Sequence, residues 1–399
     1  MSRHHNRWRF VAGLRTNSFK ARVLGRHNKG TATVVRAAPA VRALASDQPC
    51  DRRCRRGRRV ACHRGYSVEV PIGRVRFGRS RMRLLFITST RVGDAVLSTG
   101  ILAHCIQRHP GIAVTIACGA PAAPLFAAVP NLDELIILKK MRYARHWLTL
   151  WARCVGRCWD LLIDLRSAPI TLLLAAKRRW RIGRPDDSVH RVVRLAQVLG
   201  LEDNPPAPHL WIGEAERRAA LRLVPEGPPV VAVGPTANWV GKTWRPEYFA
   251  ELIRRLTGPG GILPGARVAV CGHRSERQAA LPVLEAVPGQ RRIDLVGSAG
   301  LLEIFACLQR TALYIGNDSG LMHLAAAAGV PTLGLFGPSR EELYAPWGPL
   351  TAAVRPPIPY EEIFPPGFDH RNTGTLMDGL TVDRVEAAAL ALWRRVQAA

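Results

Sequence analysis

Residues 313–339 read LYIGNDSGLMHLAAAAGVPTLGLFGPS. The pattern is strand, tight loop, helix, turn, strand, loop. Residues 313–315 form a short apolar run that suits a buried strand, and the turn residues Gly316 to Gly320 break it. Residues 321–328 have high helix propensity, and Asp318 just ahead of them is placed to act as the N-cap. Gly329 follows the last helical position and Pro331 closes the helix. Residues 330–336 give a second buried strand that ends in Gly337-Pro338-Ser339. Two parallel strands joined by one short helix make a βαβ unit. Ligands of such sheets sit beyond the carboxyl ends of the strands. The N–H groups of Ser319, Gly320 and Leu321 at the helix start suit a phosphate there. Each residue also has a structural reading: Asp318 as a cap, Gly320 for close packing, His323 as a satisfied half-buried imidazole. Four such residue types within six positions of a helix start favour the ligand reading.

Outward from this unit the same alternation fills the chain. Strands are predicted at 84–88, 113–117, 134–138, 160–164 and 181–183, with helices at 95–108, 121–129, 143–156, 168–176 and 189–199. Residues 202–208 (EDNPPAP) are a Pro-rich polar break and the best candidate for a domain hinge. The pattern then restarts, with strands at 230–233, 267–271 and 293–296 and helices at 246–256, 276–287 and 301–309. Residues 346–374 are rich in Pro and Gly and read as an irregular surface segment, and a final helix is predicted at 382–396. Alternation of this kind means parallel α/β sheets. The division is 82–204, a first Rossmann-like domain; 205–345, a second; and 346–399, an irregular segment with a helix expected to pack back across the first domain.

Charge separates the start of the chain from the rest. Of the net +27 over 399 residues, residues 1–81 hold 21 Lys+Arg against 3 Asp+Glu, and the remainder 36 against 27. The first 81 residues lack sustained apolar periodicity, and 51–59 (DRRCRRGRR) is almost solid Arg. Three readings fit: a disordered basic arm for nucleic acid or anionic lipid, a targeting peptide without an apolar core, or a reading frame that starts too early. The run Met82-Arg83-Leu84-Leu85-Phe86-Ile87 favours the last, with Met82 as the first residue. Six of nine cysteines lie after residue 81, without zinc-finger or CxxC spacing, and read as buried thiols. No apolar run reaches the length of a membrane span.

Three loops carry candidate chemistry. Arg91-Val92-Gly93-Asp94 occupies the first βα turn, where Gly93 allows a tight backbone and Asp94 either caps the next helix or faces the interdomain cleft as a base for a hydroxyl. Residues 235–246 (PTANWVGKTWRP) follow the first strand of the second domain and lack P-loop spacing. An ammonium at Lys242 suits the charge that grows on a leaving diphosphate, and Thr236 and Thr243 offer hydroxyls. Glu276 begins a helix after Gly272-His273-Arg274-Ser275, a position that dipole matching alone would explain.

The run Asp318-Ser319-Gly320-x-x-His323, then Ala325-Ala326-Ala327, Gly329 and Pro331, followed by Leu335-Phe336-Gly337-Pro338, closely resembles the signature of the glycosyltransferase family that contains the ADP-heptose:lipopolysaccharide heptosyltransferases. The resemblance covers roughly 82 to the C-terminus. It implies the GT-B architecture, two Rossmann-like domains facing a cleft. It implies an inverting transfer of a sugar, with ADP-heptose as the donor expected, to a lipopolysaccharide core or related acceptor. Asp94 is then the catalytic base, with Arg91 and Gly93 in the acceptor cleft. Lys242 serves the leaving diphosphate. Thr236, Glu276, Asp318, Ser319, Gly320 and His323 bind the donor, Glu276 through a ribose hydroxyl. No metal or cofactor is called for, since Lys242 and a helix start hold the diphosphate and no Asp-x-Asp motif lies in a suitable loop. The partners expected are a nucleotide sugar and a lipid-linked saccharide at the cytoplasmic face of the inner membrane, not nucleic acid. A different GT-B donor is the alternative, and a basic nucleic-acid-binding protein a more distant one.

Overall fold

Strand β1 (Arg83–Ile87) opens the first sheet of the computed structural model, which describes residues 81–184, 186–364 and 367–398. The expectations for the Arg-rich start fall outside these residues, save at Arg81. In chain order there follow α1 (Val92–Arg108), β2 (Ala113–Cys118), β3 (Leu132–Ile137), α2 (His146–Cys154), β4 (Trp159–Asp164), β5 (Ala176–Arg181), α3 (Arg191–Gln197) and α4 (Glu214–Leu223). The second half holds β6 (Val230–Gly234), α5 (Pro246–Thr257), β7 (Arg267–Gly272), α6 (Arg277–Ala286), β8 (Arg292–Val296) and α7 (Leu301–Leu308). It ends with β9 (Leu313–Asn317), α8 (Gly320–Ala327), β10 (Thr332–Leu335), α9 (Glu341–Tyr344), β11 (Thr351–Val354) and α10 (Val382–Ala398). Two all-parallel sheets result, in the orders β3-β2-β1-β4-β5 and β11-β10-β9-β6-β7-β8. The expected βαβ unit is β9-α8-β10, paired in register from Thr332 opposite Tyr314 to Leu335 opposite Asn317.

Parallel strands are covered on both faces, so they read as continuous apolar runs. In β1, Leu84 and Phe86 enter one core, and Leu85 and Ile87 another with Leu150, Trp159 and Leu162. The first of these cores is not confined to the first sheet. It continues through α1, α4, α7 and α8 to Ala232, Ala269 and Tyr314 of the second sheet. Helix α4 packs on α7, and α1 packs on α8. The two domains thus share one apolar layer.

Several elements differ from the sequence reading. The helices expected at 121–129 and 168–176 are short 3₁₀ turns, Ala123–Phe126 and Pro169–Leu173, each with a proline in its first turn. The strand expected at 181–183 lies earlier, as β5. Its sequence AKRRWR hides it, because an edge strand can leave cations in solvent. Its register is fixed by charge: Asp164 lies opposite Arg181, and Lys177 pairs with Asp160 at 2.6 Å. The segment after 345 is not wholly irregular, since β11 extends the second sheet by pairing with β10. Helix α10 forms, but it does not return across the first domain. It packs on α5, β10 and β11 through Val385, Ala389 and Leu392, and Arg255 binds its Asp383 and Glu386.

The Pro-rich linker is docked rather than loose. A Cβ at Gly100 of α1 would come within 2.2 Å of the Pro206 carbonyl oxygen, so only glycine lets the linker lie there. The next contact is His209 N–H donating to Thr99 Oγ1 at 2.9 Å. Five of the six described cysteines are buried free thiols, and Cys158 is exposed. Burial pushes Cys105, Cys118, Cys154 and Cys271 up to about 12. Among the described residues no helix is long and apolar enough to cross a membrane.

Candidate active site

The loops that leave β1, β6, β7 and β9 carry all of the candidate residues. Asn317, the last residue of β9, organises the second-domain side. Its buried amide accepts from Trp244 N–H at 3.1 Å and donates to the Pro235 carbonyl at 2.9 Å, tying down both ends of the 235–244 loop. The loop is also held from outside, where Leu376 N–H donates to Gly241 O at 3.0 Å and Thr375 Oγ1 donates to Thr243 O at 2.6 Å. Lys242 is thereby fixed, and its Nζ lies 2.5 Å from Asp318 Oδ2.

Asp318 is therefore not the helix cap. Strand β9 runs on to Asn317, Asp318 N–H bonds Leu335 O, and Ser319 takes the N-cap position without a side-chain capping bond. The buried Asp318 carboxylate is left to hold the ammonium. Asp94 departs from its capping role in a similar way. Helix α1 starts at Val92, Arg91 stands at the N-cap, and Asp94 lies within the first turn. Its carboxylate accepts from Ser89 Oγ at 3.4 Å and faces Arg191 Nε at 3.9 Å.

Thr236 and Glu276 come together, Thr236 Oγ1 donating to Glu276 Oε2 at 2.9 Å. The same oxygen accepts from His273 N–H at 2.8 Å and closes a capping box. The helix-start explanation of Glu276 thus holds, and it leaves the other carboxylate oxygen outside these bonds.

The two domains touch at their helix starts. A Cβ at Gly320 would lie 3.0 Å from Val92 Cγ1 and 3.2 Å from Gly93 N. A Cβ at Gly93 would lie 3.0 Å from His323 Cδ2. His323 is buried, and its Nδ1 has no hydrogen-bond partner among the described residues. Burial pushes its pKa down to about 4, against the pull of the Asp318 and Asp94 carboxylates. Burial also raises the Tyr344 phenol, and Asp94 and Asp318 reinforce the shift. His190 joins the domains again: its Nδ1 accepts from Val192 N–H, its Nε2 lies 3.0 Å from Ala345 O, and its ring stacks on Trp347. Asn317, His190, Arg191 and Tyr344 were not legible in the sequence. Only the turn character of Gly316-Asn317 hinted at any of them.

Two parallel α/β domains in contact through the helix starts that follow β1 and β9, with Asp94 on one side and Lys242 on the other, have the architecture of a GT-B glycosyltransferase. The chain belongs to glycosyltransferase family 9 (heptosyltransferase), whose profile matches residues 162–362. It is 25% identical over 312 residues to lipopolysaccharide heptosyltransferase 2 of Salmonella typhimurium, covering 69% of this chain and 88% of the relative. It is 30% identical over 289 residues to lipopolysaccharide heptosyltransferase 3 of Escherichia coli, covering 64% and 82%. Among solved structures, the E. coli ADP-heptose lipopolysaccharide heptosyltransferase II aligns with a TM-score of 0.61 at 20% identity, covering 79% of this chain and all of that one. A family 9 glycosyltransferase from Veillonella parvula aligns with a TM-score of 0.62 at 20% identity, covering 78% and 97%.

Proposed function

We propose that the enzyme transfers heptose from ADP-heptose to a lipopolysaccharide core or related surface-glycan acceptor, with inversion, Asp94 acting as general base. The observation that carries this reading is the meeting of the two sides. The first turns of α1 and α8 lie against each other at Gly93, Gly320 and His323, with Asp94 in the turn on the first-domain side and the Lys242–Asp318 pair on the other. An acceptor hydroxyl attacks the anomeric carbon, the bond from that carbon to the diphosphate oxygen breaks, and Asp94 takes the hydroxyl proton. The diphosphate gains negative charge as it leaves. Lys242, held by Asp318, and the N–H groups at the start of α8 stabilise that charge more than the ground state. Glu276, beside Thr236, takes a ribose hydroxyl. The acceptor is lipid-anchored, so the enzyme works at the cytoplasmic face of the inner membrane as a peripheral protein.

The test is turnover of ADP-heptose with a core saccharide acceptor, followed by NMR of the product. The expected linkage has the anomeric configuration opposite to the donor's. Asp94→Asn keeps the size of the side chain and is expected to bind donor normally while the rate falls by about two to four orders of magnitude. Retained configuration, or a folded Asp94→Asn enzyme near full rate, removes Asp94 from the role of base.

A further inference from the structure

Helix α2 (HWLTLWARC) carries two apolar stripes. Leu150 and Cys154, four apart, are buried in the core beneath the first sheet. Leu148, Trp151 and Val155, spaced three and four apart on the other side, are exposed. An apolar arc buried along only one of its stripes, as here beside the polar His146, Thr149 and Arg153, calls for a second apolar neighbour. Among the described residues none covers this stripe. The 3₁₀ turn Pro169–Leu173 lies against the same helix and exposes Leu172 at 57% and Leu173 at 73%. Those leucines are left outward, because Thr171 of the same turn is buried and donates to Asp164 Oδ2 of β4 at 2.9 Å. Just before α2, Tyr143 and Ala144 both have positive φ, 53° and 54°, and Tyr143 is 86% exposed. Non-glycine residues adopt that conformation only where the surroundings impose it, and such strain clusters at functional segments.

The segment that carries these apolar tips is strongly basic. Residues 138–184 hold twelve Lys+Arg against Asp160 and Asp164, while the other residues of 82–399 hold 24 against 25. The whole surplus of that portion is therefore in this one region. Asp160 and Asp164 are taken by Lys177 and Arg181, and Glu134 binds Arg153 and Arg157. Lys139, Lys140, Arg142 and Arg145, which flank Met141 and Tyr143, form no ion pair among the described residues.

We propose that this face is a docking surface for an anionic lipid bilayer: Tyr143, Leu148, Trp151 and Leu173 enter the head-group layer, and Lys139, Lys140, Arg142 and Arg145 bind its phosphates. Exposed apolar tips ringed by Lys and Arg are the chemistry that an interface of this kind selects. A second copy of the chain would set like charge against like. So would the Arg-rich first 81 residues, with 21 cations against 3 acids. Topology places the face usefully. The segments that follow β3 and β4 leave the same sheet edge as the Ser89–Asp94 loop, because β1, β3 and β4 belong to one parallel sheet. The seated domain would offer Asp94 toward a saccharide rooted in that bilayer. The inference rests on the proposal of a lipid-anchored acceptor.

The test is hydrogen exchange of the full chain with and without vesicles of phosphatidylethanolamine and phosphatidylglycerol. Slowed exchange over 139–153 and 170–176, absent with phosphatidylcholine vesicles, is the expected result. This readout is local, so binding of the Arg-rich start does not imitate it. The variant Tyr143→Ser/Leu148→Ser/Leu173→Ser is expected to lose that protection and to turn over a vesicle-bound acceptor several-fold more slowly. Its rate on a short water-soluble acceptor should equal that of the unaltered enzyme. No protection of the two segments, equal protection on neutral vesicles, or protection that tracks self-association without lipid overturns the docking surface. Failure of the unaltered enzyme on both acceptors counts against the proposed reaction instead, and the exchange result stands apart from it.

Discussion

At the scale of single residues, the pair Lys242–Asp318 has two separable consequences. The Asp318 carboxylate is buried, so Lys242→Met leaves it without its cation. A cost of about 1–3 kcal/mol is expected for a buried polar group stripped of its partner. Lys242→Met/Asp318→Asn removes the stranded charge and is expected to regain most of that stability while turnover stays low. Thermal unfolding and kcat measured on the single and double variants check both halves. If turnover returns with stability, Lys242 serves the fold alone. His323 makes a pH prediction. Its folded pKa of about 4 lies below the ordinary 6.5, so above pH 6.5 it is neutral in both states and its contribution is complete. Between those values the unfolded chain binds a proton that the folded chain refuses, and stability falls as pH falls. His323→Gln lacks this component. Urea midpoints at pH 7 and pH 5 should differ less for the variant than for the unaltered enzyme. Asp94, Lys242 and Asp318 were legible because each follows a strand within a short run of turn residues. Arg191, His190 and Tyr344 were not, because Asp94 and Ala345 reach them across long separations in sequence, and spacing encodes only neighbours.

At the scale of elements, the first turns of α1 and α8 meet through Gly93 and Gly320. The sequence reading assigned Gly320 to the approach of a diphosphate. The structure adds an interdomain contact, since a side chain there meets Val92 and Gly93 N at 3.0–3.2 Å. Gly320→Val is expected to cost about 1–3 kcal/mol by overpacking, read as a lower unfolding midpoint. A variant as stable as the unaltered protein, yet unable to bind nucleotide, would assign Gly320 to the ligand alone. The strands of the second sheet up to β10 were readable from short apolar runs, broken in β8 by Asp294. Strand β5 was masked by its cations, β11 by its four-residue length and flanking prolines, and α4 by a charged sequence (EAERRAALRL) that buries only Ala219 and Ala220. Helix α10 was readable as a helix, but its partner was not. An apolar stripe says that a face is covered and does not say by what.

At the scale of the whole molecule, the shared apolar layer and the docked linker join the two domains. A single cooperative transition is expected over residues 82–399, with calorimetric and van't Hoff enthalpies in agreement. Two resolved transitions would show that the first and second sheets unfold separately. The edge strand β5 has a different meaning for the life of the molecule. An open sheet edge is a template on which a second molecule can grow, and newly made chains are crowded together when their edges are still bare. Four of the six residues of β5 are cations, so two copies repel each other. Its proper neighbour β4 carries Asp160 and Asp164, four residues apart, where β5 carries Lys177 and Arg181, also four apart. A slip of one residue would turn these charges to opposite faces. The strand therefore carries a charge pattern that fits β4 and repels the same strand of another copy, which favours solubility before the sheet is complete.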